Sequence, residues 1–146
     1  MQVIAGKSLI GWAATVLASP ECRWIDQSII STDSPAYAEE ANRHGLAAPF
    51  LRPETLSRDS TGAVETLQHA LTESEKFYRR QFDVVLIIEP TCPFRLPEDL
   101  TACVDLLVKY RADSVVAVSQ ADTKFHPHKL LKIEDARLAF YAGAGA

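Results

Sequence analysis

The chain has 146 residues, of which 47% are hydrophobic and 23% charged, with a formal net charge of −4 at pH 7. This length and balance are typical of one folded domain and exclude a disordered chain. No apolar stretch approaches a membrane span, no secretory signal opens the chain, and no basic stripe indicates nucleic-acid binding. We therefore expect a single cytoplasmic domain over residues 1–146, with 142–146 as a frayed tail.

Helices and extended segments alternate along the first half of the chain. Ser8 suits the N-cap of a first helix, Ser34 and Pro35 suit the start of a second, and Gly45 suits its end. The predicted elements are a helix over residues 9–17, a strand over 27–32, a helix over 36–44, an extended segment over 48–52 and a helix over about 62–79.

The second half carries the two most apolar runs. Residues 83–88 are predicted as a strand buried on both faces, and 114–119 as another buried strand, with a helix that opens at Pro97 between them. Residues 130–133 and 138–141 predict a small hairpin. Strands separated by helices indicate a mostly parallel sheet with helices on both faces, which is a three-layer α/β architecture.

Polar residues follow the predicted strands, where ligands of parallel sheets bind. Asp33 either faces a nucleotide at the helix N-terminus or caps that helix together with Ser34. Arg52 either hydrogen-bonds a phosphate or base, or belongs to a surface ion pair. Asp59 either anchors that arginine or caps the next helix.

The loop over residues 89–95 places Glu89, Thr91 and Arg95 on a turn stiffened by two prolines. It is either a pre-organised set of substrate contacts or a rigid turn with a polar rim. A charged residue directly after five apolar ones favours substrate contacts.

The remaining candidates do not indicate a metal site. His126 and His128 have no carboxylate or cysteine at ligand spacing, and the next residue, Lys129, is interpreted as a cation for an acidic substrate. The three cysteines include no CxxC pair and are expected as reduced thiols. The sequence contains no Walker, GxGxxG or GxSxG motif, so no catalytic residue can be assigned from a motif.

Five segments together resemble the CMP-N-acylneuraminate (CMP-sialic acid) synthetases, cytidylyltransferases that join CTP to a nine-carbon acidic sugar. The resemblance rests on AGKSLIGW at residues 5–12, STD at 31–33, LRP at 51–53 with DST at 59–61, EPTCPFR at 89–95, and DSVV at 113–116 ahead of HPHK at 126–129. The order and spacing of these segments make the similarity specific, whereas a single segment would be weak.

The resemblance implies a nucleotide-binding group and a sugar-binding group. Arg52 matches an arginine near the base and ribose of CTP, and Glu89 stands where the family usually has a glutamine that holds the sugar. Because Glu89 is a carboxylate, we expect it to repel an acidic sugar. The nucleotide-binding group is Asp33, Arg52, Asp59 and Thr61, and the sugar-binding group is Glu89, Thr91, Arg95 and Lys129.

The resemblance also implies the reaction. A sugar hydroxyl attacks the α-phosphorus of CTP and pyrophosphate leaves, while Mg²⁺ positions and neutralises the triphosphate. The family's metal aspartates have no counterpart in residues 1–146, so we assign no metal ligand, and whether this chain acts as an enzyme stays open. The alternatives are an inactive remnant that serves as a binding module and a nucleotidyltransferase for another sugar.

The fold implied is the Rossmann-like nucleotide-diphosphosugar transferase type. The family's first strand, its phosphate loop and its C-terminal segment have no counterpart in residues 1–146. That first strand would lie between residues 27–32 and 83–88, so these two strands either pair directly with each other or leave a gap that another chain covers. We expect self-association as a homo-oligomer. We also expect cytidine and CTP to bind about equally, with a Kd on the order of millimolar.

Overall fold

A computed structural model of the chain describes residues 2–58, 60–120, 122, 130–135 and 137–141. Within these residues the architecture is mixed α/β, with four α-helices and two small antiparallel hairpins. The chain divides into two units, Met1–Ala112 and Asp113–Ala146. No helix in the described part of the chain combines the length and apolar character needed to cross a membrane.

The first unit opens with a tight hairpin that the sequence pattern did not predict. Strand β1 (Val3–Ile4) pairs antiparallel with β2 (Lys7–Ser8). The two turn residues, Ala5 and Gly6, have φ values of 49° and 78°, and positive φ at both positions is typical of a type I′ turn. Strands of two residues are too short to show the alternation by which strands are predicted.

The first two helices begin at the predicted caps. Helix α1 (Leu9–Leu17) starts after Ser8, whose Oγ accepts a hydrogen bond from the Gly11 amide at 3.0 Å. Helix α2 (Pro35–Arg43) starts after Ser34, whose Oγ accepts from the Tyr37 amide at 3.4 Å. Their common core is formed by Ile10, Ala14, Ala41 and Leu46.

The two longer helices also match the prediction. Helix α3 (Ala63–Tyr78) and helix α4 (Pro97–Tyr110) both end at an arginine in the left-handed conformation. Helix α4 contributes Leu100 to a second core cluster with Val16 of α1 and with Cys22. Helix α1 therefore contributes to both clusters, with Ile10 and Ala14 in the first and Val16 in the second, and joins them.

The predicted strand over residues 27–32 is reduced to a single parallel bridge between Ile29 and Ala47. The Ile30 amide donates to the Ala47 carbonyl at 2.9 Å, and the Arg52 amide donates to the Thr32 carbonyl at 2.8 Å. Two extended segments, residues 28–32 and 47–52, therefore run side by side in the same direction.

Residues 83–88 are not a strand buried on both faces, and that prediction is wrong. In the described part of the chain these residues are assigned to no strand, and Val85 and Ile87 are 47% and 56% exposed. Only Leu86 and Ile88 pack against the second core cluster. A strand needs a neighbour to accept its backbone hydrogen bonds, and an apolar run by itself does not provide one.

The second unit contains the predicted hairpin. Strand β3 (Leu131–Glu134) pairs antiparallel with β4 (Arg137–Phe140), within about one residue of the predicted limits. Residues 114–119 form no strand in the described part, and Val116 and Val118 are 76% and 89% exposed, so the prediction of a buried strand is wrong there as well. Here too an apolar run lacks a pairing neighbour. The predicted tail, 142–146, lies outside the described residues.

Glu40 gives the first unit a testable dependence on pH. Its buried carboxylate lies 3.2 Å from His44 Nε2 and 3.0 Å from Arg43 Nη1. A hydrogen bond from Ser8 makes the largest contribution to holding the pKa of Glu40 below its usual value. Burial of the carboxylate acts in the opposite direction, whereas the hydrogen bond with His44 and the electrostatic attraction of His44 and Arg43 lower the pKa further.

We therefore expect the free energy of unfolding to fall as the pH is lowered from the ordinary carboxyl pKa through the pKa of folded Glu40. In that window the unfolded chain binds more protons than the folded one, so acid favours unfolding. Denaturant unfolding between about pH 5 and pH 3 should show a weaker pH dependence in Glu40→Gln than in the wild type. The control is Glu39→Gln, which alters an exposed carboxylate on the same helix. Equal pH dependence in wild type and Glu40→Gln would contradict this expectation.

Candidate nucleotide site

The two parallel extended segments end beside each other, at Asp33 and Arg52. Arg52 Nη2 lies 4.0 Å from Asp33 Oδ1, and the arginine side chain is 22% exposed whereas the aspartate side chain is 52% exposed. The sequence therefore placed both residues correctly at the ends of neighbouring extended segments.

A third residue of this group, Ser57, was missed by the sequence analysis. Arg52 Nε donates to Ser57 Oγ at 3.1 Å, and Ser57 Oγ donates to the Pro53 carbonyl at 3.1 Å. The 3₁₀ turn Glu54–Leu56 folds the chain back so that Ser57 reaches the guanidinium. A serine five residues after an arginine has no recognisable sequence signal, because the contact depends on this turn.

The structure decides one of the alternatives left open by the sequence. Ser34 caps α2 through its side chain, and its own amide donates to Thr32 Oγ1 at 3.1 Å. Asp33 has no part in this cap, and its carboxylate faces Arg52 instead. Of the interpretations of Asp33, helix capping is wrong, and binding of a nucleotide stays a prediction.

The segment that follows Arg52 is only partly described. Thr61 Oγ1 accepts from the Arg58 amide at 3.2 Å, and the Thr61 amide donates to the Arg58 carbonyl at 2.9 Å. The threonine hydroxyl therefore stabilises a turn, with its donor still available to a ligand. Asp59 lies outside the described residues, so its proposed roles stay predictions.

The loop after residue 88 brings together three residues of the predicted sugar-binding group. The Glu89 carbonyl accepts from Arg95 Nη2 at 3.2 Å, and the Glu89 carboxylate accepts from Thr91 Oγ1 at 3.5 Å. Arg95 Nη1 is buried and has no hydrogen-bond partner among the described residues. This guanidinium therefore keeps a donor that an acidic ligand could satisfy.

An aromatic contact connects this loop to α1. The ring centroids of Phe94 and Trp12 are 6.4 Å apart, and Lys7 Nζ lies 4.8 Å from the Trp12 ring centroid. Among the described residues, no hydrogen bond or ion pair joins the loop to the group around Arg52. The last predicted sugar contact, Lys129, lies outside the described residues, as do His126 and His128.

The described residues hold no cluster of three or more His, Cys, Asp or Glu side chains suited to a metal ion. All three cysteines are free thiols, with Cys22 buried, Cys92 exposed and Cys103 half-buried.

Comparison with known proteins places these groups in a family context. No family model matches the chain. The chain is 35% identical over 125 residues to the CMP-N,N'-diacetyllegionaminic acid synthase of Legionella pneumophila, across 84% of this chain and 51% of that protein. It is 30% identical to N-acylneuraminate cytidylyltransferase A of Danio rerio and 32% identical to N-acylneuraminate cytidylyltransferase of Escherichia coli, across 81% and 75% of this chain.

These similarities confirm the resemblance predicted from the sequence. The chain is a homologue of cytidylyltransferases that include CMP-legionaminic acid synthases and N-acylneuraminate cytidylyltransferases. It spans about half the length of the Legionella relative and about a quarter of the other two, at 26% and 25%.

Proposed function

We propose that this chain belongs to an enzyme that transfers CMP from CTP to an acidic sugar of the legionaminic or neuraminic type, with release of pyrophosphate. The observation that carries the proposal is the similarity, at 30–35% identity, to relatives named for these activities. The arrangement of Arg52, Asp33 and Ser57 at the ends of two parallel extended segments supports it, because this edge is where α/β proteins bind ligands.

In the proposed reaction a hydroxyl oxygen of the sugar forms a bond to the α-phosphorus while the bond to the departing pyrophosphate breaks. The hydroxyl proton passes to solvent. Arg52 donates hydrogen bonds to the cytosine base and so orients the nucleotide, and Arg95 donates to the acidic group of the sugar. The protein then acts by positioning, without a covalent intermediate on a side chain.

The described residues include no cluster of three or more His, Cys, Asp or Glu side chains that could bind the expected Mg²⁺. We therefore assign no step of the reaction to residues that would hold the metal in this part of the chain.

The three-layer sheet and a homo-oligomer are part of the same proposal. They are supported by residues 83–88, an apolar run assigned to no strand, in which Val85 and Ile87 are about half exposed. Pairing with a further strand would satisfy this backbone and bury these side chains.

A pyrophosphate-release assay with CTP, Mg²⁺ and a panel of legionaminic- and neuraminic-type acids tests the activity. Release that requires one of these acids supports the proposed transfer and rejects an inactive binding module. Release with only a neutral sugar would instead support a nucleotidyltransferase for another sugar. Absence of both CTP binding and turnover would contradict the proposed function.

Glu89→Gln separates the two halves of the proposed site. The substitution removes a negative charge from the loop that faces the acidic sugar, while the group around Arg52 keeps all its contacts. We expect the Kd for the acidic sugar to fall by about two- to fivefold and the Kd for CTP to stay unchanged.

Titration of the two ligands separately, by calorimetry or NMR, measures both values. Glu98→Gln, which neutralises an exposed carboxylate in the first turn of α4, is the matched control. Weaker sugar binding in Glu89→Gln would mean that the carboxylate is a direct ligand of sugar hydroxyls.

A further inference from the structure

We infer that Ser57 is a positioning residue that selects which edge of the Arg52 guanidinium faces the nucleotide and thereby favours cytosine over uracil. The inference rests on the proposed function, since it assumes that Arg52 contacts the base. It concerns a residue that the sequence pattern did not single out.

The contacts of Arg52 leave one edge of its guanidinium available. A guanidinium can donate a pair of hydrogen bonds either side-on, through Nε and one terminal nitrogen, or end-on, through both terminal nitrogens. Nε is already occupied by Ser57 Oγ at 3.1 Å, and that hydroxyl directs its own proton to the Pro53 carbonyl. The side-on edge is therefore closed to a ligand.

The end-on edge stays open and is oriented by a second restraint. Asp33 Oδ1 lies 4.0 Å from Nη2, at ion-pair distance but beyond a hydrogen bond. Neither terminal nitrogen has a hydrogen-bond partner among the described residues. The open edge thus presents two parallel donors.

Two parallel donors discriminate between the two pyrimidines. Cytosine offers adjacent acceptors, O2 and N3, which match an end-on guanidinium. Uracil carries a proton on N3, so one of the two donors would face another donor. Leaving a buried polar group unpaired is the kind of mismatch by which protein sites reject an analogue most strongly.

The substitution Ser57→Ala frees Nε and lets the guanidinium rotate about its stem. We expect the Kd for CTP to rise by about fivefold, in line with loss of one hydrogen bond. We expect the preference for CTP over UTP to fall from about tenfold to near unity, because the end-on edge is no longer imposed. Ser57→Thr keeps the hydroxyl and should restore both values.

The experiment titrates CTP and UTP into the wild type, Ser57→Ala, Ser57→Thr and Arg52→Ala, followed by protein NMR. The matched control is Thr55→Ala, which removes an exposed hydroxyl of the same 3₁₀ turn. The solvent exchange of the Arg52 Nε proton, measured without nucleotide, reports the serine contact directly and should accelerate only in Ser57→Ala. Dispersed amide spectra identify variants that remain folded.

The outcomes separate the inference from the proposed function. If Arg52→Ala weakens CTP binding while Ser57→Ala leaves both the affinity and the CTP:UTP ratio unchanged, the role of Ser57 is refuted and the proposed function stands. Unchanged Nε exchange in Ser57→Ala refutes it as well. If the wild type binds neither CTP nor UTP at a nucleotide concentration about 10-fold above the expected millimolar Kd, both the role of Ser57 and the proposed function are refuted.

Discussion

Arg52→Ala is expected to raise the Kd for CTP by about 100-fold, which removes detectable binding in the millimolar range. The two terminal nitrogens of Arg52 have no hydrogen-bond partner among the described residues, so in the proposed complex both donate to the nucleotide while Asp33 stays at ion-pair distance from Nη2. Each charge-assisted hydrogen bond contributes roughly 1.5–3 kcal/mol, and alanine loses both. NMR titration with CTP measures the change.

Two further variants show whether charge or geometry is responsible. Arg52→Lys keeps the charge but loses the planar fork, so we expect a loss of about tenfold, between the wild type and alanine. Arg58→Ala removes the same charge from the same loop and is expected to leave the Kd within about twofold. Equal weakening in Arg58→Ala and Arg52→Ala would show that only the overall charge matters.

Leu100→Ala is expected to produce the largest loss of stability, about 2–5 kcal/mol in the free energy of unfolding. Leu100 is 6% exposed and packs in the cluster with Val16 and Cys22, the contact by which α4 is held against α1. Truncation removes buried apolar surface and leaves a cavity that the surrounding helices cannot fully close. Since small domains are stable by only about 5–15 kcal/mol, the change should be visible as a lower denaturant midpoint.

The control for this variant lies on the same helix. Val108 is 66% exposed, so Val108→Ala should change the free energy of unfolding by less than about 0.5 kcal/mol. If the two substitutions cost the same, α4 is not held by the second core cluster, and the packing described here is contradicted. Circular dichroism during urea unfolding gives both values.

The helices were determined by the sequence alone, because their signals are local. Ser8 and Ser34 accept hydrogen bonds from the amides three residues on, and Gly45 adopts a φ of 82° just after α2. Such caps act within one turn, so a single sequence contains all the information they need. The hairpin β3–β4 was predicted for the same reason.

The strands could not be determined in this way. Residues 83–88 and 114–119 are strongly apolar, yet in the structure they are assigned to no strand and carry exposed side chains. The apolar pattern shows that a segment would be stable beside another strand. The pairing strand and the side chains that pack on its faces, however, have to come from elsewhere in the molecule. The strand and its burial were therefore predicted wrongly at both places.

In the candidate site, too, some features were predictable from the sequence and others only from the tertiary structure. The sequence predicted that Arg52 and Asp33 lie at the ends of neighbouring segments, because residues at the ends of strands in α/β proteins meet at one edge of the sheet. Their closeness is confirmed, and their binding of a nucleotide stays a prediction. The sequence also identified the family, through five separate segments in one order. Only the tertiary structure showed that Asp33 faces the arginine and that Ser57 holds Nε. These contacts depend on a parallel bridge and a 3₁₀ turn, whose geometry places residues together that no spacing in the sequence relates.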